Sequence, residues 1–267
     1  MYLTRKQSII ALKNMMTFNK ELNILFEKFN TSLKSNMGRR NALLSGLQEK
    51  YFADALMEVY PNTTSDGRTG QPDILIPELS LCLECKLTSP LASTGAIIFQ
   101  SDSMTFNNKP NGVDFLYVIA NKAFESFAVL HFSGLTRDDF KKESPGSRGR
   151  IHMKKSNAML KCKPLIGGVI NKRLLIIEKY KNDLVATRQS AIERLGSLQA
   201  LIEKANYGTK KKQRLEGVCT REAIRLTKKV AHLEEKIEMH LSKPPLYSIT
   251  YENLGEICQT KNLICEV

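Results

Sequence analysis

The chain of 267 residues lacks long apolar runs and contains few cysteines and histidines. A transmembrane helix needs about 18 or more consecutive apolar residues, and because no such run occurs, no membrane partner is expected. The N-terminal segment also lacks the apolar stretch and small-residue cleavage site of a secretory signal. Six cysteines are too few and too scattered for a disulfide scaffold of this size. These absences favour a cytoplasmic protein with reduced thiols.

The cysteines and histidines do not form a recognisable metal site either. Cys82 and Cys85 make a CxxC pattern, but strand residues three apart point to opposite faces, so the two thiols are not expected to share a metal. The other cysteines have no paired metal spacing, and the four histidines fit no metal or catalytic-triad signature. Catalytic chemistry therefore has to come from other side chains.

Residues 70–87 carry the most specific pattern, and we predict that they form a β-hairpin. Pro77 ends the first arm, and the second arm alternates apolar with polar residues, as a strand with one buried face does. Glu84 and Lys86 then share one face, and Asp73 lies at the start of the first arm. Two carboxylates and an amine at the end of a buried hairpin are costly unless they bind something. A divalent cation and a phosphate would satisfy all three groups.

An acidic residue followed two positions later by lysine occurs three times, at Glu84, Asp139 and Glu234. Asp139 lies in a polar stretch, and Glu234 lies on a charged helical face. Only Glu84 lies in an alternating apolar run with a Pro-Asp pair upstream at hairpin distance. The plain alternative is a surface hairpin whose Glu84–Lys86 pair is merely solvated, because exposed ion pairs contribute little.

The hairpin resembles the signature of the PD-(D/E)XK nuclease superfamily, with Pro72-Asp73 on one strand and Glu84-Cys85-Lys86 on the next. Members of that family are mostly metal-dependent DNA hydrolases, and many are restriction endonucleases. The resemblance implies that Asp73 and Glu84 hold Mg²⁺ together with the backbone carbonyl of Cys85. It also implies that Lys86 orients or activates the attacking water. Oxygen ligands of this kind are those that Mg²⁺ prefers.

The resemblance extends over residues 40–135 and includes a helix before the hairpin. The spacing of apolar residues predicts an amphipathic helix over Leu43–Tyr60. Helices at this place in the family often add an acidic residue to the metal site, and Glu49 matches best; an ordinary solvated glutamate is the alternative. A second helix is predicted over Thr94–Phe106, with Gln100 or Ser101 near the substrate backbone.

The order of elements predicts an α/β fold with a mixed central β-sheet flanked by helices, a restriction endonuclease-like core. Residues 114–120, 127–132 and 246–251 are rich in strand-forming residues. A short helix is expected from about Asn253. The predicted organisation is a core with N-terminal helices, a helical insertion, and a strand and helix returning to the core, over residues 1–172, 173–242 and 243–267.

The insertion is predicted to be a long antiparallel helical hairpin. Apolar residues recur at spacings of three, four and seven over residues 174–241, which is typical of coiled-coil-like packing. Gly208 marks the turn between the two helices, beside a basic tip. Such an arm could clamp DNA, pack against a second subunit or form a layer on its own sheet, and the sequence does not choose among these.

Positive charge is concentrated in the second half of the chain. Residues 131–267 contain 27 Lys and Arg against 15 Asp and Glu, whereas residues 1–130 contain 13 against 12. This asymmetry favours a polyanion-binding surface, although a basic face that only aids solubility is the alternative. Two basic stretches stand out, a Gly/Ser/Pro-containing loop over residues 141–163 and the tip at residues 210–214. The predicted DNA-binding residues are Gln100, Arg148, Arg150, Lys154, Lys155, Lys210, Lys211 and Lys212.

These patterns together predict a Mg²⁺-dependent endonuclease that hydrolyses phosphodiester bonds in double-stranded DNA, most consistent with the type II restriction class. Cutting both strands needs two sites, so a homodimer is expected. Repair and junction-resolving nucleases use the same constellation, and fold alone does not separate them. A non-catalytic DNA-binding protein and a nuclease acting on RNA are the competing interpretations.

Overall fold

A computed structural model describes residues 2–33, 36–66, 71–107, 109, 112–205 and 208–256. The protein is mixed α/β, with a mixed sheet, flanking helices and a long helical pair. The helices are α1 (Arg5–Lys28), α2 (Met37–Met57), α3 (Lys155–Ala158), α4 (Lys172–Glu203) and α5 (Lys210–Leu241). The strands are β1 (Ile74–Ile76), β2 (Leu81–Thr88), β3 (Gln100–Asp102), β4 (Val113–Ala120), β5 (Ser126–Leu135), β6 (Arg150–His152), β7 (Cys162–Ile166), β8 (Gly168–Asn171), β9 (Tyr247–Thr250) and β10 (Glu252–Asn253).

The chain divides into two compact units. The first comprises residues 1–170 and 249–267, and the second comprises residues 171–248. The predicted insertion, residues 173–242, lies inside the second unit. The main sheet belongs to the first unit and has the order β1-β2-β4-β5-β10, with β7 also paired to β5. Strands β2 and β4 are parallel, and the other pairs are antiparallel.

The predicted hairpin is confirmed. β1 pairs with β2 in antiparallel register, with Ile74 opposite Leu83 and Ile76 opposite Leu81. A single turn of 3₁₀-helix begins at Pro77, whose fixed φ suits a first helical position. The turn ends at Ser80, which has a left-handed φ of 49°. The proline that breaks the apolar run in the sequence therefore makes the turn of the hairpin.

One face of the sheet packs against the two long N-terminal helices. Leu12 of α1 and Phe52 of α2 are buried in one apolar cluster with Leu83 of β2 and Leu116 of β4. The Cys85 side chain belongs to this cluster, as the alternation in β2 predicted. Burying each such side chain contributes roughly 1.5–3 kcal/mol, so this face anchors the strands that carry the charged residues.

The opposite face of the sheet carries an aromatic cluster. Phe115 and Tyr117 of β4 lie on it, and their register partners on β2 are Glu84 and Lys86. Because paired residues on neighbouring strands point to the same side, Glu84 and Lys86 belong to the aromatic face. The members of the cluster, joined through ring contacts, are Phe99, Phe106, Phe115, Tyr117, Phe132 and Phe140.

A buried polar network links the N-terminal segment to the sheet on its helical side. The Tyr2 hydroxyl donates to Asp114 Oδ2 at 2.9 Å and lies 2.8 Å from His131 Nε2. The backbone N–H of Gly134 donates to the other oxygen of Asp114 at 2.8 Å. His131 is thus a structural residue, consistent with its lack of any signature in the sequence.

Several predicted elements are wrong or have different bounds. The segment Thr94–Phe106 is not an α-helix, because it contains strand β3 and a 3₁₀ turn. Its backbone hydrogen bonds are made to β6, so it does not need to form a helix. The basic stretch 141–163 is not one loop, since it contains β6, α3 and the start of β7. The helix predicted from Leu43 begins earlier, at Met37, where the Asn36 side chain accepts from the backbone N–H of Arg39.

The strands predicted at 114–120 and 127–132 are confirmed as β4 and β5, and the strand predicted at 246–251 is confirmed as β9. The two-residue strand β10 covers Asn253, and a helix starts only after it. The rest of that segment, residues 257–267, lies outside the described residues.

The second unit is the predicted antiparallel helical pair. Helices α4 and α5 each have 32 residues, and their packed sides bury Ile177, Leu226, Leu233 and Ile237. Ion pairs such as Arg188–Glu234, at 2.6 Å, bridge the two helices. In the part of the chain that the structure describes, no helix is both long and apolar enough to cross a membrane.

Candidate active site

The Asp73 side chain accepts a backbone hydrogen bond at the edge of strand β2 that β1 does not cover. Strand β1 pairs with β2 only as far as Leu83, so the backbone of Cys85 lies beyond the last β1 partner in the described register. The Asp73 carboxylate takes the place of a strand there, because its Oδ2 accepts from the Cys85 N–H at 2.7 Å. The N–H and C=O of one strand residue point to the same edge, so the Cys85 carbonyl also points towards this edge.

Lys86 lies between the two carboxylates of the hairpin. Its Nζ is 3.3 Å from Asp73 Oδ2 and 3.3 Å from Glu84 Oε2. Burial lowers the pKa of Lys86, but the charges of Asp73 and Glu84 outweigh it and hold that pKa above its ordinary value. Lys86 therefore remains a cation across the physiological range. The three residues predicted to act together are brought together.

Glu84 is the most buried member of the cluster. Its side chain is 9% exposed, and its Oε1 lies 3.7 Å from the Nζ of Lys109. Burial raises the pKa of Glu84 above its ordinary value, even though Lys86 and Lys109 oppose that rise. Glu84 thus retains an unfavourable charge that its two lysines only partly offset.

Glu49 of α2 belongs to the same electrostatic cluster. Partial burial and the neighbouring charge of Asp73 raise the pKa of Glu49 to about 7, with Glu84 adding to the rise and Lys86 opposing it. The charges of three hairpin side chains therefore influence Glu49 of α2. Its part in a metal site stays a prediction.

The donor chemistry of the cluster fits Mg²⁺. Mg²⁺ is bound by oxygen ligands, commonly one or two carboxylates with substrate phosphate and water. Asp73, Glu84 and the Cys85 carbonyl supply such oxygens, and the raised pKa of Glu49 reflects negative charge that a cation would relieve. Among the described residues, however, no three His, Cys, Asp or Glu side chains form a ready-made metal cage. The buried Cys85 thiol contributes nothing, since burial raises its pKa well above the ordinary value.

Two of the predicted DNA-binding residues lie on one small β-ribbon, and two more directly follow it. Gln100 of β3 pairs with His152 of β6, and Arg150 lies on the same strand β6. The Tyr117 hydroxyl donates to the Gln100 carbonyl at 2.8 Å, which fixes the ribbon to the aromatic face that carries Glu84 and Lys86. Lys154 and Lys155 follow β6 and line, with Lys141, a cavity of about 500 Å³.

Lys155 is held as a partly desolvated cation in this cavity. Its Nζ donates to the Ile97 carbonyl at 2.7 Å and lies 5.5 Å from the centre of the Phe99 ring. Burial, with the nearby charge of Lys141, lowers the pKa of Lys155 below its ordinary value. Two neighbouring ammonium groups would both be stabilised by a bound phosphate.

The remaining predicted DNA-binding residues lie elsewhere. Arg148 is exposed in the turn before β6, with a left-handed φ of 53°. Lys210, Lys211 and Lys212 open helix α5 in the second unit, and that first turn contains no acidic residue. Positive charges at a helix N-terminus oppose the helix dipole. These three lysines therefore do not stabilise the start of α5 through its dipole, and their role as DNA contacts stays a prediction.

Two residues near the cluster could not be found from the sequence. Lys109 lies in a stretch rich in asparagine that has neither periodicity nor a motif. Tyr117 reads only as a strand residue, yet burial and the charge of Glu84 raise its pKa above the ordinary value. Their proximity to Glu84 depends on non-local packing of the aromatic face.

Comparison of the chain with family models, curated proteins and solved structures finds no match to any of them.

Proposed function

We propose that the chain is a Mg²⁺-dependent endonuclease of the PD-(D/E)XK type that hydrolyses double-stranded DNA, as type II restriction enzymes do. The observation that carries the proposal is the convergence of Asp73, Glu84 and Lys86 at one edge of β2, with Lys86 Nζ 3.3 Å from both carboxylates. Glu49 joins them from α2. Clustered groups with perturbed pKa values are more frequent at functional sites than elsewhere.

Each residue has a role in this proposal. Asp73, Glu84 and the Cys85 carbonyl would hold Mg²⁺, which when bound supplies Lewis-acid charge to the scissile phosphate. Lys86, whose Nζ lies 3.3 Å from both carboxylates, would orient or activate the attacking water and add positive charge beside the phosphate. Glu49, with a pKa of about 7, can hold or release a proton at working pH.

The basic ribbon supports DNA as the substrate. Lys154 and Lys155, which follow β6, line one cavity with Lys141, beside the β3–β6 ribbon that a hydrogen bond from Tyr117 joins to the face of Glu84. Phosphate contacts of this kind give affinity without reading sequence. A strand bound along the ribbon would be held on the face that carries the carboxylates. Two copies of the chain, one for each DNA strand, would be needed for a double-strand cut.

The proposal is tested by incubating the full chain with long, sequence-diverse DNA, with and without Mg²⁺. Discrete fragments on a gel are expected only with Mg²⁺. Lys86→Ala and Asp73→Ala should lower the cleavage rate by at least about 100-fold, because charge stabilisation in the transition state is lost. DNA binding, measured by a shift assay without Mg²⁺, should remain.

Lys236→Ala provides a matched control, because Lys236 is the lysine of the Glu234-x-Lys occurrence of the same pattern. Its Nζ lies 5.3 Å from the centre of the Tyr180 ring, within the helical pair. Cleavage by this variant should stay within about threefold of the starting protein, since Lys236 belongs to neither the hairpin nor the ribbon, and substitutions outside such features usually change free energies by only about 0.5 kcal/mol. Undiminished cleavage in both Lys86→Ala and Asp73→Ala would remove these residues from the site. The same assay with RNA separates the two nucleic-acid substrates.

A non-catalytic DNA-binding protein is the second candidate, and one observation favours it. Lys86 already pairs with both hairpin carboxylates, and the described residues form no three-ligand metal cage. In that case the cluster is structural, and the basic ribbon binds DNA unaided. Intact DNA under all metal conditions, together with a stable complex, would select this candidate.

A further inference from the structure

A cavity of about 370 Å³ lies where α1 and α2 meet the turn between β4 and β5. It shares no residue with the carboxylate cluster of the hairpin. Its size falls in the range of small-ligand pockets, roughly 300–1,000 Å³. The residues that line it are Asn19, Asn23, Arg40, Lys122, Ala123 and Glu125.

Arg40 is a buried cation whose bonded partners are all neutral. Its side chain donates to the Lys122 carbonyl at 2.6 Å, the Asn121 carbonyl at 3.1 Å and the Ser89 hydroxyl at 3.0 Å. The guanidinium also lies 4.7 Å from the centre of the Phe124 ring. Arg40 is only 3% exposed, and no carboxylate among the described residues pairs with it.

Burial without a counter-charge lowers the pKa of Arg40 to about 10. A buried charge is costly unless it is paired, and removing one partner of such a pair leaves the other uncompensated. The neutral hydrogen bonds orient the guanidinium but leave its net charge unopposed. An anion bound in the adjoining cavity would supply the missing counter-charge to Arg40.

Asn19 gives a second, independent indication of a ligand. It is 5% exposed and lines the cavity, and its Oδ1 has no hydrogen-bond partner within the described part of the chain. Buried polar atoms nearly always have a partner, so an orphan of this kind needs an explanation. The cavity therefore combines an unopposed cation with an unsatisfied acceptor.

We propose that this cavity binds a small phosphorylated sugar. Arg40 and Lys122 would hold the phosphate, and the Glu125 carboxylate would accept from a sugar hydroxyl. The Asn19 Oδ1 is enclosed in the cavity wall, and the Asn19 amide would turn on binding so that this oxygen accepts from a second hydroxyl. Two cations in one cavity suit a phosphate dianion better than a single carboxylate, because a dianion can pair with both. The proposal does not rest on the nuclease function.

One chemistry could reach this cavity from two sources, a free sugar phosphate or the 5′-phosphorylated end of a nucleic acid strand. Isothermal titration of the full chain with ribose 5-phosphate, and separately with ribose, tests the shared chemistry. Binding is expected for ribose 5-phosphate alone, at concentrations up to about 10 mM, since Kd values in this range are measurable. Competition by a 5′-phosphorylated oligonucleotide then identifies the strand end, and its failure identifies the free compound; both support the proposal.

The variants address each half of the ligand. Lys122→Ala and Asn19→Ala should each weaken binding of ribose 5-phosphate by roughly tenfold, the loss expected for one charged or buried hydrogen bond. Arg39→Ala is the matched control, because Arg39 is the exposed neighbour of Arg40 on the same helix. Its affinity should stay unchanged.

Arg40 is not replaced alone, because it also holds the turn in which Phe124 adopts a φ of 60°. No binding of ribose 5-phosphate to the folded chain would overturn the proposal. Equal binding of ribose and ribose 5-phosphate would also overturn it, since the phosphate would then contribute nothing. Unchanged affinity in both Lys122→Ala and Asn19→Ala would place the ligand elsewhere and sink the site.

Discussion

The motif of an acidic residue, any residue, then lysine occurs at Glu84 and at Asp139, and the two places have opposite electrostatics. Asp139 accepts from the Thr136 backbone N–H at 2.9 Å and pairs with Lys161 at 2.7 Å. Burial raises the pKa of Asp139, but Lys161 and Thr136 outweigh it and hold that pKa below its ordinary value. At Glu84, two lysines fail to offset burial, and the pKa stays raised.

The difference teaches how to tell a structural carboxylate from a candidate catalytic one. The Asp139 carboxylate is paired with Lys161 and accepts from Thr136, with which it forms a capping box at a 3₁₀ turn. In the hairpin cluster the pKa values of Glu49 and Glu84 are both raised, because the lysines there do not fully offset burial and the neighbouring carboxylate charges. The third occurrence, Glu234, is a partly exposed residue paired with Arg188 across the helical arm. The same sequence pattern therefore occurs at a capping residue, Asp139, at a clustered carboxylate, Glu84, and at an exposed ion-paired residue, Glu234.

Neutralising each carboxylate gives the sharpest test of this comparison. Asp139→Asn should lower the free energy of unfolding by about 2 kcal/mol at neutral pH, because a buried ion pair and its hydrogen bonds are lost. Glu84→Gln should leave that energy unchanged or higher, since it removes an unfavourable buried charge. Urea unfolding followed by circular dichroism measures both. The stability contributed by Asp139 should disappear only in acid, as pH falls through its lowered pKa.

Equal destabilisation by both substitutions would break the comparison, because Glu84 would then be as structural as Asp139. Lys161→Met offers a companion measurement, since loss of the partner should destabilise through the same ion pair.

Stabilisation by Mg²⁺ should distinguish the hairpin cluster from Asp139. If the hairpin cluster binds Mg²⁺ with a Kd near 1 mM, then 10 mM Mg²⁺ stabilises the chain by about 1.4 kcal/mol. Thermal unfolding with Mg²⁺ and with a chelator measures this shift. The shift should vanish in Asp73→Asn and persist in Asp139→Asn. A shift that persists in Asp73→Asn would place the cation outside the hairpin cluster.

The pH dependence of stability gives the smallest expected effect. The pKa of Glu49 is raised to about 7 in the folded chain, so its favourable contribution is present below its ordinary pKa and is lost as pH rises through 7. Glu49→Gln should therefore be more stable than the starting protein at pH 8, by about 1 kcal/mol after allowance for partial exposure. At pH 4 the two proteins should be alike. Thermal unfolding between pH 4 and pH 8, without divalent cations, measures the difference.

The exposed glutamate that caps the C-terminal end of α2 serves as the control. Glu58→Gln should show no comparable gain at pH 8, because Glu58 is exposed at the end of α2. If Glu49→Gln also gains nothing, the electrostatic coupling of Glu49 to the hairpin is wrong.

The parts of the fold that the sequence predicts are those whose signals are local. Alternation and Pro77 define the hairpin, and heptad-like spacing defines α4 and α5. The helix predicted over residues 94–106 is wrong because the apolar residues there suit a helix, while the real partner of this segment is β6, some fifty residues later in the chain. The proximity of Asp73, Glu84 and Lys86 could be predicted because the hairpin motif fixes their strand positions, whereas Glu49 followed only from the family resemblance.

Other site residues had no signal that a sequence could carry. Lys109 reaches Glu84 only because the chain folds back between β3 and β4. Arg40 reads as one of several basic residues in the first half, and its burial against Phe124 depends on a turn about eighty residues away. Charge and periodicity describe an element, whereas depth and the absence of a counter-charge belong to the assembled core.

The hydrogen bond from the Cys85 amide to Asp73 gives the hairpin an internal reporter. Any event that withdraws the Asp73 oxygen, such as protonation or capture by another cation, leaves this amide facing solvent. Its nuclear magnetic resonance shift and its rate of deuterium uptake would then follow the state of the carboxylate directly. Selective ¹⁵N-cysteine labelling could therefore observe the cluster in solution without any change to its side chains.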